Sequence, residues 1–180
     1  MGGVIWFGTD DTNTSVYMPF YCSLTEVPAQ LEKGDINTFS FDSNFWMNNW
    51  VANQAYNRYD LMIPDIRNVQ GSLENKYLNS RQPKEEELVA LYVAGDLEGL
   101  TAAVNQEASE IAKEATDSYR DLATYLFVKF MDGNMKKTNE DGSFKLNKYG
   151  IPASPSFPGY DQKYYENIVK ETGDHFLISN

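Results

Sequence analysis

Residues 9–15 read Thr-Asp-Asp-Thr-Asn-Thr-Ser and crowd two carboxylates, a side-chain amide and several hydroxyls into a few consecutive positions. Such groups suit two kinds of chemistry. Asp10 or Asp11 can form a charge-assisted pair with a ligand ammonium. Thr14, Ser15 and Tyr17 follow the same logic with less weight, and a hydroxyl there can also support an oxyanion or position a neighbouring reactive group. The competing reading is an Asx-type turn, in which short polar side chains bond to nearby backbone and close a β-connection. Arg58 is the candidate for bidentate pairing with a ligand carboxylate, against the alternative of a structural ion pair.

Other chemistries fare worse. His175 is the only histidine and Cys22 the only cysteine. A hydrolytic triad needs a nucleophile, a base and an orienting acid, and a closed zinc site needs more ligands than one His and one Cys. Neither a metal nor a cofactor is expected. Asp141-Gly142 imitates a calcium loop, but in that register Lys137 and Lys148 fall on ligand positions. Trp46, Trp50, Tyr56 and Tyr59 could form a sugar platform, although aromatics at helical spacing are ordinarily core. Asn48, Asn49, Asn53 and Asn57 alternate with them, and any that are buried need partners.

The polar residues must be positioned by the segments around them. Residues 4–7, Val-Ile-Trp-Phe, form a short β-type run, and residues 15–24 resume strand character, so two strands flank a polar tip. Cys22 falls inside the second strand. Residues 29–37 read as a loop. Ser40, Asp42 and Ser43 are candidate caps for a helix whose buried face is Phe45, Asn49, Ala52, Tyr56 and Tyr59, widened by Trp46 and Trp50. Arg58 lies on this helix. Pro64 stops or kinks it at Ile63 and opens a second helix carrying Met62, Ile66, Val69, Leu73 and Tyr77. A break follows at 79–82, and Pro83 with Glu85, Glu86 and Glu87 starts another helix, with Leu88, Leu91 and Tyr92 on its apolar side.

Gly95 ends that helix, and Asp96 caps the strongest one, with a stripe from Leu97 through Val104, Ile111, Tyr119 and Leu126 to Phe130, ended by Gly133. At ~1.5 Å per residue this helix is roughly 50 Å long. Its length predicts an outer part that packs on a missing half of the protein or on another subunit. Beyond it come a small hairpin at Asp141-Gly142, a proline-punctuated loop over 150–159, and a short helix over 160–170 burying Tyr164, Ile168 and Val169. Gly173 ends it, and residues 174–178 are expected to add to a sheet edge.

The order of residues also resembles a known family. W-F-G-x-D-D-x-x-T-S-V-Y-x-P-F-Y-x-x-x-T-E-x-P from Trp6, F-S-F-D-S-N-F-W-x-x-N-x-V-A-N from Phe39, R-Y at Arg58, M-x-P-D-I from Met62 and E-T-G-D-H from Glu171 are similar to the dipeptidase A family. These are cysteine-type N-terminal-nucleophile hydrolases related to the secernins. The resemblance implies an α+β chain: the C-terminal part of an Ntn-hydrolase-like αββα sandwich, helix-rich with a few antiparallel strands. Family members are more than twice this length, and their nucleophile is a cysteine at the mature N-terminus. Residues 1–180 are therefore expected to form a single C-terminal segment without the nucleophile, which Cys22 does not match. The implied activity is that of a thiol-type dipeptidase in the intact protein, with this segment inactive alone. Its substrate-binding candidates are Asp10, Asp11, Thr14, Ser15 and Arg58. The implied partners are a dipeptide and either the missing N-terminal half or further copies of the chain. The alternative, from a different class, is a non-catalytic acidic interaction or structural module.

Bulk properties narrow the rest. Hydrophobic residues make up 42% and aromatics 14%, too much for a disordered chain. The net charge of −11 argues against nucleic acid and anionic membrane surfaces as partners, since both recruit basic surfaces. No apolar run approaches the ~20 residues of a membrane span. A lone cysteine forbids an internal disulfide and fits the reducing cytoplasm, although a leader encoded upstream would leave no trace here. Trp6 occupies the position where a myristoylation signal needs Ser or Thr.

Overall fold

A computed structural model describes residues 3–175. The described residues up to Phe127 form one compact unit and those from Val128 form another.

The first unit begins with an antiparallel hairpin, β1 (Val4–Phe7) paired with β2 (Met18–Tyr21) in the register Val4↔Tyr21 to Phe7↔Met18. The second strand is shorter than its sequence suggests. Thr12, Asn13, Thr14 and Ser15 are drawn into a turn, where side-chain bonds outcompete the ladder. All four residues of β2 are buried, whereas Ile5, Trp6 and Phe7 of β1 are substantially exposed. Cys22 lies one residue beyond β2, exposed in a turn, and not within a strand.

Helices follow the hairpin. A single turn, α1 (Ala29–Glu32), occupies part of the expected loop. Then α2 (Asn44–Ala55) starts at Ser43, whose hydroxyl accepts the Trp46 N–H. The expected buried face is corrected. The inward residues are Asn44, Met47, Asn48, Val51, Ala52 and Ala55, while Tyr56 and Tyr59 are exposed. Apolarity misled here because the helix buries aliphatic and amide side chains and leaves its rings Phe45, Trp46 and Trp50 only half-buried. Phe39 packs against Phe41, Trp46 and Trp50.

The prolines also mislead. The chain breaks at residues 56–58, ahead of Pro64, and α3 (Tyr59–Val93) runs unbroken through both Pro64 and Pro83. Each proline forfeits one helical hydrogen bond. Burial of Met62, Ile66, Leu73, Tyr77 and Leu88 along the same helix favours continuity. Gly95, at φ +75°, reverses the chain, and Asp96 accepts the Gly99 N–H at 2.8 Å. The helix that follows, α4 (Leu97–Phe130), has the expected bounds. Its stripe from Val104 to Leu126 is buried, so most of the long apolar face is covered within this chain. Leu97 alone of the predicted stripe is strongly exposed, at 60%. The core therefore sits between β2, α2, α3 and α4, with Met18, Met47, Ile66, Tyr77 and Tyr119 fully enclosed. This unit is α+β, helix-rich with two antiparallel strands.

The second unit holds the last residues of α4, a 3-10 turn (Met131–Gly133), paired loops and α5 (Gln162–Thr172). Thr138 bridges Phe144 across the predicted hairpin, and Gly142 takes φ +83° at its turn. The helix α5 is capped by Asp161 and ended by Gly173, yet it buries nothing: Tyr164 and Val169 are exposed, at 45% and 65%. Its predicted apolar face is thus corrected. Of the expected tail strand, Asp174 and His175 lie in a turn, and residues 176–178 fall outside the described residues.

Candidate functional site

The loop between β1 and β2 lies beneath the helical layer, and its buried backbone groups need partners. All three long helices supply them. From α4, the buried Tyr119 hydroxyl donates to the Thr14 carbonyl at 2.7 Å. Desolvation raises the Tyr119 pKa, with a smaller push from the Glu74 carboxylate, so the hydroxyl remains a donor. From α3, Gln70 Nε2 donates to the Ser15 carbonyl at 2.7 Å, and Glu74 accepts the Tyr17 N–H at 3.0 Å. From α2, Asn44 Oδ1 accepts the Thr9 hydroxyl at 2.8 Å, while Asn44 Nδ2 donates to Thr116 Oγ1 of α4 at 3.0 Å. Asn48 donates to Asn44 in turn, through Nδ2 to the backbone carbonyl and to Oδ1.

Within the loop the two aspartates differ. The Asp11 backbone carbonyl accepts the Ser15 N–H at 2.9 Å, and its carboxylate accepts the Thr14 hydroxyl at 2.9 Å and the Asn13 N–H at 3.4 Å. Those bonds close the turn. Asp10 is half-buried, and its carboxylate meets only long contacts from Asn49 Nδ2, at 3.4 and 3.5 Å. No cationic side chain stands within ion-pair distance of Asp10 among the described residues.

Thr14 and Ser15 are both 1% exposed. Thr14 has its hydroxyl committed to Asp11, whereas the Ser15 hydroxyl is buried with no hydrogen-bond partner among the described residues. Arg58 is not on α2. It occupies the break before α3, at φ −149° and ψ 60°. The guanidinium that meets the loop belongs to Arg67, which contacts the Asn13 side-chain oxygen and donates to Gln70 Oε1 at 2.6 Å. The Asn13 amide also meets the Tyr59 hydroxyl.

Sequence reasoning thus missed Asn44, Arg67, Gln70 and Tyr119. One signal for them was present: Gln70 follows Ile66 by four and precedes Leu73 by three, a polar residue on an apolar stripe. A buried amide at such a place needs a nearby partner.

The family model described as Peptidase family C69 matches residues 1–72. The matched stretch is two fifths of the chain. No curated protein and no solved structure matches the chain. The C69 match takes in the hairpin, the loop, α1, α2 and the first part of α3, including Arg67 and Gln70. It stops short of Thr116 and Tyr119, which close the loop from the far side. The description of that family is of peptidases. No helix among the described residues is long and apolar enough to cross a membrane.

Proposed function

We propose that this chain is the substrate-positioning part of a dipeptidase whose nucleophile, an N-terminal cysteine, is supplied by a preceding segment. In that reaction the thiolate attacks the scissile carbonyl, the second amino acid leaves with its new amine, and water hydrolyses the acyl-enzyme. The nucleophile's own α-amine serves as base, so His175 has no part. The observation that carries the reading is the contrast between the two aspartates. Asp11 spends its carboxylate on the turn, while Asp10 presents one beside Asn49 with acceptor capacity to spare. Asp10 takes the substrate ammonium. Asp11 and Thr14 hold the loop that presents it, and the buried Ser15 hydroxyl is available to a group entering the loop. Arg58 is assigned the substrate carboxylate, with Arg67 a nearer candidate because it already reaches the loop. The chain alone is expected to bind dipeptides without cleaving them.

The test is Asp10→Asn in the intact protein. A charged hydrogen-bonded pair contributes about 1.5–3 kcal/mol, so KM for free-amine dipeptides should rise on the order of tenfold or more. N-acetylated dipeptides, lacking the charge, should be little changed. An equal loss on both substrates would assign Asp10 to the turn and sink the ammonium role.

A further inference from the structure

Beside the loop lies a cavity of about 430 Å3 lined by Phe7, Gly8, Thr9, Val27, Leu31, Gly34 and Phe45. We infer that this cavity receives the side chain of the substrate's N-terminal residue and makes the site selective for apolar side chains there. The inference rests on the Asp10 reading above. Its starting point is adjacency. Phe7, Gly8 and Thr9 run directly into Asp10, and the Thr9 hydroxyl is tied to Asn44 on α2. Phe45 follows Asn44 and stands one helical turn before Asn49, the residue that contacts Asp10. The wall of the cavity and the carboxylate are therefore held by the same two elements.

In an N-terminal residue the ammonium and the side chain leave one carbon. A ligand whose ammonium is paired at Asp10 thus carries its first side chain only a few ångströms away, within reach of a cavity anchored on these elements. The lining fits that occupant. Phe7, Val27, Leu31 and Phe45 present apolar surface, and Thr9 contributes the one polar side chain of the lining, its hydroxyl already donated to Asn44. Phe7 and Val27 are 42% and 58% exposed, so apolar surface stands open at the mouth. Apolar lining with a few placed polar groups is the usual form of a small-molecule site, and this volume accommodates any single natural side chain. Of its two glycines, a Cβ on Gly8 would stand in van der Waals contact with the Tyr17 ring at 3.4 Å, whereas one on Gly34 would meet nothing within 4 Å. Gly34 is thus a place where a side chain can be added without displacing the backbone.

The full chain titrated with Leu-Gly, Gly-Leu and Gly-Gly, followed by amide NMR shifts, tests the inference. Leu-Gly should bind at least about tenfold more tightly than Gly-Gly, as burial of one branched apolar side chain implies. Gly-Leu should resemble Gly-Gly, and Leu-Gly should shift Gly8, Thr9 and Gly34. Gly34→Leu, which obstructs the cavity, and Val27→Asp, at an exposed position of its mouth, should each remove the Leu-Gly advantage and leave Gly-Gly binding in place. Equal affinity for Leu-Gly and Gly-Gly, both lost in Asp10→Asn, would overturn the side-chain subsite and leave the ammonium reading standing. No response to any dipeptide would overturn both. Shifts at Phe7, Leu31 and Phe45 that track protein concentration and ignore dipeptide would assign the cavity to a second copy of the chain and overturn the inference.

Discussion

Two buried tyrosines allow the hydrogen-bond argument for the loop to be tested with its own control. Tyr119 is 0% exposed and donates to the Thr14 carbonyl at 2.7 Å. Tyr77 is 2% exposed, and its hydroxyl has no partner among the described residues. Tyr119→Phe keeps the ring and strands a buried carbonyl, which costs about 1–3 kcal/mol. Tyr77→Phe removes a desolvated hydroxyl that gains nothing in return, so it should be neutral or stabilise by up to about 1 kcal/mol. Urea unfolding followed by tryptophan fluorescence reads this unit, because Trp6, Trp46 and Trp50 all lie in it. With a slope of about 1–3 kcal/mol/M, Tyr119→Phe should lower the midpoint by on the order of 1 M, while Tyr77→Phe leaves it or raises it. Burial raises the pKa of both phenols, with Glu114 adding to the rise at Tyr77. Groups with raised folded-state values contribute fully below about pH 10 and lose their contribution as pH rises further, because the unfolded phenols ionise first. Each Tyr→Phe variant should therefore flatten the alkaline fall in stability. Equal destabilisation by both variants, or none by Tyr119→Phe, would refute the assignment of the loop's anchor.

Glu107, half-buried on α4, has its pKa raised chiefly by burial, with Lys84 and Arg81 opposing and Glu87 and Glu110 adding to the rise. Its carboxylate form is thus disfavoured by folding, and the resulting loss of stability sets in as pH rises from the unfolded value through the raised one. Glu107→Gln should be more stable than wild type at pH 7 and show no such advantage at pH 4, as measured by urea midpoints; an advantage independent of pH would exclude the burial argument. Cys22, exposed beyond β2, should react with a thiol reagent in the folded state, and Cys22→Ser should leave stability within about 0.5 kcal/mol. A protected thiol would show that the turn after β2 is covered.

Signals local to the chain were legible. The β1 run, the polar loop after it, the Ser43 cap, the Gly95 turn and the whole of α4 follow from period, capping residues and turn chemistry, all of which act over a few neighbours. The short polar side chains of the loop organise the backbone around Asp11, as the turn reading expects. Where local rules competed with packing, they lost. Pro64 and Pro83 signal helix boundaries, yet α3 passes through both because its buried residues are aligned across them. A hydrophobic reading of α2 chose its rings, yet the helix turns Asn44 and Asn48 inward because Asn44 meets the Thr9 hydroxyl of the loop and Asn48 meets Asn44.

The sequence by itself determined which residues form the strand–loop–strand unit and the family pattern that runs through it. Tertiary structure alone decided which polar groups in that unit are spent on the turn and which keep acceptor capacity. Asp10 and Asp11 are adjacent and chemically identical, and no local rule separates them. They differ because Asp11 closes its own turn, while Asp10 faces Asn49, 39 positions away in the chain. The arginine at the loop was decided in the same way. Arg58 lies in the break before α3, and Arg67 comes to Asn13 across 54 positions. Hydrogen bonds made over such separations depend on how helices pack, and packing is set by the shape and burial of the whole core, which spacing along a sequence does not record.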